Sequence, residues 1–290
     1  MSEQPKKRRS ISIGLWIVAF LVTVLLALFQ RSTGPSYPKR GAVVVQGSQE
    51  IRYRLPRSNN GRETIRVTVP APDSAPRATL EWRRFPTNED YSELAMSLNA
   101  EGEFEAQIPN QPAAGKVEYR IVFDDSSAGT VIPVDETVVA RFRASVPAGI
   151  LVPHIFAMFL SMLVSTRALL EVLRPGAPRG RGLILVAMAL LIVGGLMLGP
   201  MVQKAAFGAY WTGWPFGHDL TDNKTLIAFL AWLPAAIVAL RGLSTRLVVV
   251  VGWIVMMGVF LIPHSMRGSE LDWSQIDETG VASSAPNSRE

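Results

Sequence analysis

Five apolar runs dominate this chain and limit what it can fold into: residues 11–29, 150–173, 183–201, 225–240 and 247–262. A helix needs about 20 mainly apolar residues to cross the hydrocarbon core of a bilayer, and these runs meet or approach that length. In lipid every backbone polar group must be satisfied inside the chain, so such runs read as membrane-spanning helices. The composition agrees, with 48% hydrophobic and 18% charged residues, a balance outside that of ordinary soluble domains.

The basic residues orient the spans. "KKRRS" precedes the first run, "RPGAPRGRG" joins the second to the third, and "RGLSTR" joins the fourth to the fifth. With Lys and Arg kept cytoplasmic, five crossings alternate without exception. Residues 1–10 then form a basic cytoplasmic N-terminus, while 30–148, 202–224 and 263–290 face outward. The expected location is a bacterial inner membrane, with the C-terminus periplasmic. The run at 11–29 has the charged start of a signal peptide, but it exceeds the usual apolar core of about 7–15 residues and lacks a small-x-small site. It reads as a retained signal anchor.

The net charge of +5 is accounted for by the cytoplasmic ends of the spans. Membrane lipid is therefore the expected partner and nucleic acid is not. The chain has no cysteine, which excludes disulfides, thiolate metal sites, iron–sulfur clusters and covalently attached haem.

Between the first two spans the periodicity changes. Apolar residues alternate at Ile65, Val67 and Val69; at Leu80 and Trp82; at Leu94, Met96 and Leu98; at Phe104, Ala106 and Ile108; at Val117, Tyr119, Ile121 and Phe123; and at Val138, Ala140, Phe142 and Ala144. Period two marks half-buried strands, and turn-rich segments such as "SNNG", "NAEG" and "DDSSAG" separate them. Seven or eight strands within about 110 residues predict an immunoglobulin-like β-sandwich over 36–147, with Trp82 in its core. The expected fold is thus mixed: a five-span α-helical transmembrane bundle with an inserted extracytoplasmic all-β sandwich.

The second to fifth spans make a four-helix unit over 150–264, and the chain's three histidines fall at its outer ends: His154, His218 and His264. The outer loop at 203–224 reads "QKAAFGAYWTGWPFGHDLTDNK" and adds Asp219 and Asp222. His154, Met158, Ser161 and Ser165 share one helical face, as do Trp253, Met257 and His264. Two readings follow. In one, His154, His218, Asp219, Asp222 and His264 hold a metal ion, or His154 and His264 ligate a non-covalent haem. In the other, Tyr210, Trp211 and Trp214 form an aromatic belt at the membrane interface, Asp222 or Thr221 caps the fourth span, and Lys224 pairs with an aspartate.

Other polar residues read as structural. Arg167 and Glu171 form an i,i+4 pair from which the arginine snorkels toward the cytoplasm. In the tail 265–290, Glu270, Asp272 and Trp273 are expected beside His264, and the end is expected to be disordered. Enzyme signatures are missing: there is no Gly-x-Ser-x-Gly, His-Glu-x-x-His, phosphate loop or dinucleotide fingerprint. The combination of the loop motif, "IPHSMRGSELDW" and an outer β domain resembles a group of bacterial multi-pass membrane proteins. That resemblance implies architecture alone.

The expected function is an accessory or scaffold subunit of a larger inner-membrane complex, respiratory or photosynthetic, with protein partners on its outward surfaces. The alternative is a metal- or haem-binding membrane redox protein.

Overall fold

A computed structural model of the chain describes residues 3–45, 49–59, 63–73, 77–124, 129–174, 180–263, 271 and 273–279. The chain divides into two compact units. One holds Met1–Gly34, Pro147–Lys204 and Tyr210–Gly268; the other holds Pro35–Val146, Ala205–Ala209 and Ser269–Glu290.

The first unit is helical. Its elements are α1 (Glu3–Thr33), α2 (Ala148–Leu173), α3 (Arg181–Leu191), a π-helical segment (Ile192–Leu198), α4 (Gly199–Phe207), α5 (Leu220–Leu240) and α6 (Arg246–Leu261). Four stretches are long and apolar enough to cross a membrane: Ser10–Thr33, Ala148–Leu173, Arg181–Phe207 and Leu220–Leu240. Arg246–Leu261 is apolar but shorter, at 16 residues. The third span runs beyond its apolar run because α3, the π-helical segment and α4 follow one another without a break, carrying helix as far as Phe207.

Helices α2, α3, α5 and α6 close a ring in that order, and α1 packs outside it against α2 and α6. Small residues make the ring possible. Ala228, Ala235 and Ala239 lie with Trp232 on the buried face of α5 at helical spacing, and the Trp232 indole donates to the Ile184 carbonyl of α3 at 3.1 Å. A Cβ on Gly194 would lie 2.9 Å from Ala157 of α2, and one on Gly195 would lie 2.8 Å from Thr225 of α5. On α6, a Cβ on Gly252 would sit 2.8 Å from the Ala231 carbonyl oxygen. Without a hydrophobic drive between helices in lipid, such close backbone approach supplies the packing.

The structure corrects the reading of Arg167. It does not snorkel: it is 4% exposed, 2.7 Å from the Glu171 carboxylate, 3.4 Å from Ser12 Oγ, and its guanidinium lies 5.6 Å from the Trp16 ring centre. Further along α1, Ala19 and Thr23 are buried.

The second unit is built on β-strands, with the last residues of α4 and one further helix among its described residues. Its strands are β1 (Lys39–Val45), β2 (Gln49–Leu55), β3 (Ile65–Pro70), β4 (Ala78–Phe85), β5 (Ser92–Ala95), β6 (Ser97–Leu98), β7 (Glu103–Ile108), β8 (Lys116–Phe123), β9 (Thr130–Ile132) and β10 (Val138–Arg141), followed by α7 (Trp273–Thr279). One sheet has the order β10-β8-β4-β5 with β9 on β8, a second β3-β7-β6, and β1 pairs with β2. All pairings between these strands are antiparallel, and Ser58 makes one isolated parallel bridge to Arg141.

Most of the period-two residues fill one shared core that includes Leu55, Ile65, Leu80, Ile108, Tyr119, Phe123 and Phe142, with Trp82 partly buried against it; Ala144, read as part of the last run, is exposed beyond the end of β10. Strands β1, β2 and β9 bring the described total to ten, above the seven or eight read from alternation. The run at 94–98 is not one strand. Met96 donates its N–H to Ala78 as the chain passes from β5, paired with β4, to β6, paired with β7. Leu98 is consequently 64% exposed.

On the outer face of the large sheet, the β4–β8 register sets Arg83 against Glu118 and Glu81 against Arg120, both pairs at 2.5 Å. The Tyr91 ring lies 4.5 Å from the Arg83 guanidinium and 4.9 Å from that of Arg120. At the core side, the Tyr119 hydroxyl donates to Pro56 O at 2.7 Å, and burial pushes this phenol well above its ordinary range.

Two expectations follow from this packing. Gly→Ala in a helix interior ordinarily gains about 0.5–1 kcal/mol, so Gly258→Ala, whose Cβ meets nothing within 4 Å, stabilises α6. Gly252→Ala instead destabilises by about 1–3 kcal/mol, because the obstacle is backbone; thermal unfolding in detergent gives opposite signs for the two. Tyr119 stabilises the β unit fully below the unfolded phenol value of about 10, and that contribution is lost as pH rises through the raised folded value. Tyr119→Phe costs about 1 kcal/mol at neutral pH and flattens the alkaline fall in stability, measured as unfolding midpoint between about pH 8 and 11.

Candidate functional site

The polar residues of the 203–224 region gather at the end of the helical unit where α5 begins. Helix α4 runs to Phe207, and Gly208, with φ of 91°, turns the chain out of it. The true loop is therefore 208–219, shorter than the 203–224 stretch read from sequence.

Asp219 is the N-cap of α5: its carboxylate accepts from the Thr221 N–H at 2.7 Å. This corrects the assignment of the cap to Asp222 or Thr221. Asp222 faces back into the loop, where its Oδ2 accepts from the N–H groups of Thr212 at 2.6 Å and Gly213 at 3.0 Å. The Thr212 hydroxyl lies 3.2 Å from Asp219 Oδ2 and 3.4 Å from Asp222 Oδ2, and accepts from Gln203 Nε2 at 2.7 Å. Asn223 Oδ1 accepts from Trp214 N–H at 2.7 Å. A Cβ on Gly213 would lie 2.6 Å from that of Asp222, so only glycine lets the loop come this close.

Gln203, Thr212, Asp219 and Asp222 are all buried. Two carboxylates thus approach one hydroxyl, and the backbone N–H groups of Thr212, Gly213 and Thr221 donate to them. Chemically the cluster is a clamp on a loop. The Lys224 ammonium, also buried, donates to Ile262 O at 2.7 Å, at the C-terminal end of α6 where the helix dipole favours a cation.

Among the described residues, neither His154 nor His218 joins this clamp. His154 is held by the π-helical segment: its Nδ1 is 2.9 Å from Gly194 O, which also accepts from the N–H of Gly199, the first residue of α4. That contact requires the proton on Nδ1. Ser161, on the same face, donates to Ala187 O at 3.1 Å, so the mildly polar stripe of α2 faces α3. His218 is exposed. His264 lies outside the described residues. Among the described residues no three His, Asp or Glu side chains come together closely enough to hold a metal. On the face of α6 expected to include His264, Trp253 donates its indole N–H to Thr166 Oγ1 at 3.0 Å, and Met257 is buried.

The clamp leaves aromatic rings outside. Tyr210, Trp214 and Phe216 are 60%, 66% and 71% exposed, and Trp211 donates its indole N–H to Trp214 O at 3.0 Å. The Lys204 ammonium lies 5.6 Å from the Tyr210 ring centre. Phe216 was missed from sequence, as were Gln203, Thr212 and Asn223. A polar residue a few positions beyond a capping aspartate was the available signal for Asn223; for Gln203 and Thr212 there was none.

No protein-family model matches the chain, and no curated protein matches it. Among solved structures, a carbohydrate-binding module family 56 β-1,3-glucan-binding domain superposes with a TM-score of 0.23 at 14% identity, over 36% of this chain and 98% of that one. A GH family 64 laminaripentaose-producing β-1,3-glucanase from Paenibacillus barengoltzii, complexed with laminarihexaose, gives 0.23 at 16% identity, over 39% of this chain and 23% of that one. Superpositions at this level define neither fold nor ligand here.

The clamp predicts an order of effects. Asp222→Ala bares two buried N–H groups at about 1–3 kcal/mol each, Asp219→Ala loses a cap worth about 0.5–2 kcal/mol, and Asp219→Asn, an equally good cap, loses least. Rates of limited proteolysis within 208–219 should rise in the reverse of that list, fastest for Asp222→Ala.

Proposed function

We propose that this protein is an accessory or scaffold subunit of a larger bacterial inner-membrane complex. In this reading it crosses the membrane five times, with a cytoplasmic N-terminus, and its β unit is a periplasmic immunoglobulin-like sandwich. Arg174, Arg181, Arg241 and Arg246 flank the α2–α3 and α5–α6 connections, which supports that orientation. The fifth crossing is α6, whose 16 residues span about 24 Å at 1.5 Å per residue and are extended at its end by Ile262.

The observation that carries the reading is the exposed Tyr210–Phe216 aromatic surface on a loop whose backbone is fixed from beneath by Asp222 and Asn223. A connecting loop needs neither a buried carboxylate clamp nor three rings outside it. Rings held in place before contact lose little freedom on binding, which is what a docking surface requires. Trp and Tyr are also the residues that most often carry binding energy at protein interfaces.

The test places a photo-crosslinking residue at position 214 in the native host, with Ile254, 58% exposed on α6, as the control. Protein adducts at 214 and lipid adducts at 254 are expected. Lipid adducts at both positions would reduce the loop to an aromatic belt and remove the support for a subunit role.

A further inference from the structure

Helix α7 meets the β unit through contacts of the kind a ligand makes. The Trp273 indole donates to Phe85 O, the last carbonyl of β4, at 3.0 Å. Its ring fills the space beside Gly115, where a Cβ would lie 3.1 Å from the ring carbon Cη2. The Arg84 guanidinium stands 5.1 Å from the centre of the same ring and donates to both carboxylate oxygens of Asp277, at 2.7 and 3.0 Å. Trp273 and Asp277 are four residues apart, so one helical face presents both. Of the tail residues expected beside His264, Trp273 packs on β4; His264, Glu270 and Asp272 lie outside the described residues.

The slot is complete without α7. Phe85 is paired with Lys116 at the last register position of β4 and β8, so its place is set by the sheet. Arg84 is also bound by the Glu89 carboxylate, which keeps the guanidinium oriented whether or not Asp277 is present. Helix α7, by contrast, has seven residues, too few turns to persist in water by its own hydrogen bonds. It is a helix because the slot holds it.

We propose that this end of the β4–β8 pair is a recognition site for an indole followed one helical turn later by a carboxylate. The chain's own 273–277 turn fills it as an internal ligand, and a partner protein carrying the same Trp-x-x-x-Asp face displaces that turn. The indole, 94% removed from solvent, supplies most of the affinity. The ion pair, with Asp277 56% exposed, supplies register and weakens with salt. The proposal stands apart from the aromatic loop of the helical unit and does not depend on it.

The test uses the full chain in detergent, as wild type and as Trp273→Ala, with a fluorescent synthetic peptide of residues 269–281 followed by anisotropy. Trp273→Ala is expected to bind the peptide at least about tenfold more tightly than wild type, where the internal turn competes, and Arg84→Ala added to it weakens binding about tenfold. Equal affinity for the two chains, binding indifferent to Arg84, or no binding to either assigns the turn to the permanent core and overturns the proposal. Hydrogen exchange on the wild type is an independent check that needs no substitution. Amides of 274–279 should exchange at least about tenfold faster than those of 117–123, and equal protection also overturns it.

Discussion

A helix bundle in lipid gains nothing from hiding leucine from leucine, so it must gain from closeness. Here closeness is concentrated where the third span passes between two neighbours. Gly194 abuts α2 and Gly195 abuts α5, each with room for hydrogen and no more. The backbone at this point is π-helical, which widens the turn and faces two consecutive glycines toward different helices. His154 completes the junction by bonding to the Gly194 carbonyl. The ring of α2, α3, α5 and α6 depends on this crossing, since α3 contacts α2 on one side and α5 on the other.

The same requirement explains the buried charges. A carboxylate away from water must be hydrogen-bonded or neutralised, and Asp222 meets this by accepting backbone N–H groups from a loop that otherwise has no ladder to join. Lys224 meets it at the end of α6, and Arg167 meets it with Glu171 and residues of α1. Each ionisable group is therefore a tie between segments distant in sequence. The arrangement at Thr212 resembles a ligand set in composition but serves in the structure as backbone support. What it supports is a loop that carries the exposed rings of Tyr210, Trp214 and Phe216.

The β unit reaches a single core without a cysteine by two devices. Its strands supply large side chains from every sheet, and polar stitches close the margins: Tyr119 on Pro56, and Asn59 paired through its amide with both backbone groups of Arg143. Segments distant in sequence add to it. Ala206 accepts from Ala144 N–H, and Phe207 lies against the Arg141 guanidinium. A contiguous domain of 36–147 was the natural reading of the sequence, because composition changes at those points. The structure extends the unit with pieces that no local pattern marks.

Local pattern alone determined the kinds of element: the length of apolar runs for the helices, and alternation for β3, β4, β7, β8 and β10. It did so because the bilayer imposes a length, and the half-buried sheet a period of two, on a single segment independent of its neighbours. Residue chemistry also located the polar end of α5, since histidines, aspartates and aromatics stand out against an apolar background. Which of those residues meet was not written there. Asp219 rather than Asp222 caps α5, His154 bonds to the π-helical segment, Arg167 turns inward to Trp16, and Trp273 sits on β4. Each outcome depends on which backbone groups another segment leaves unpaired at that point in space, and only the tertiary structure decides that.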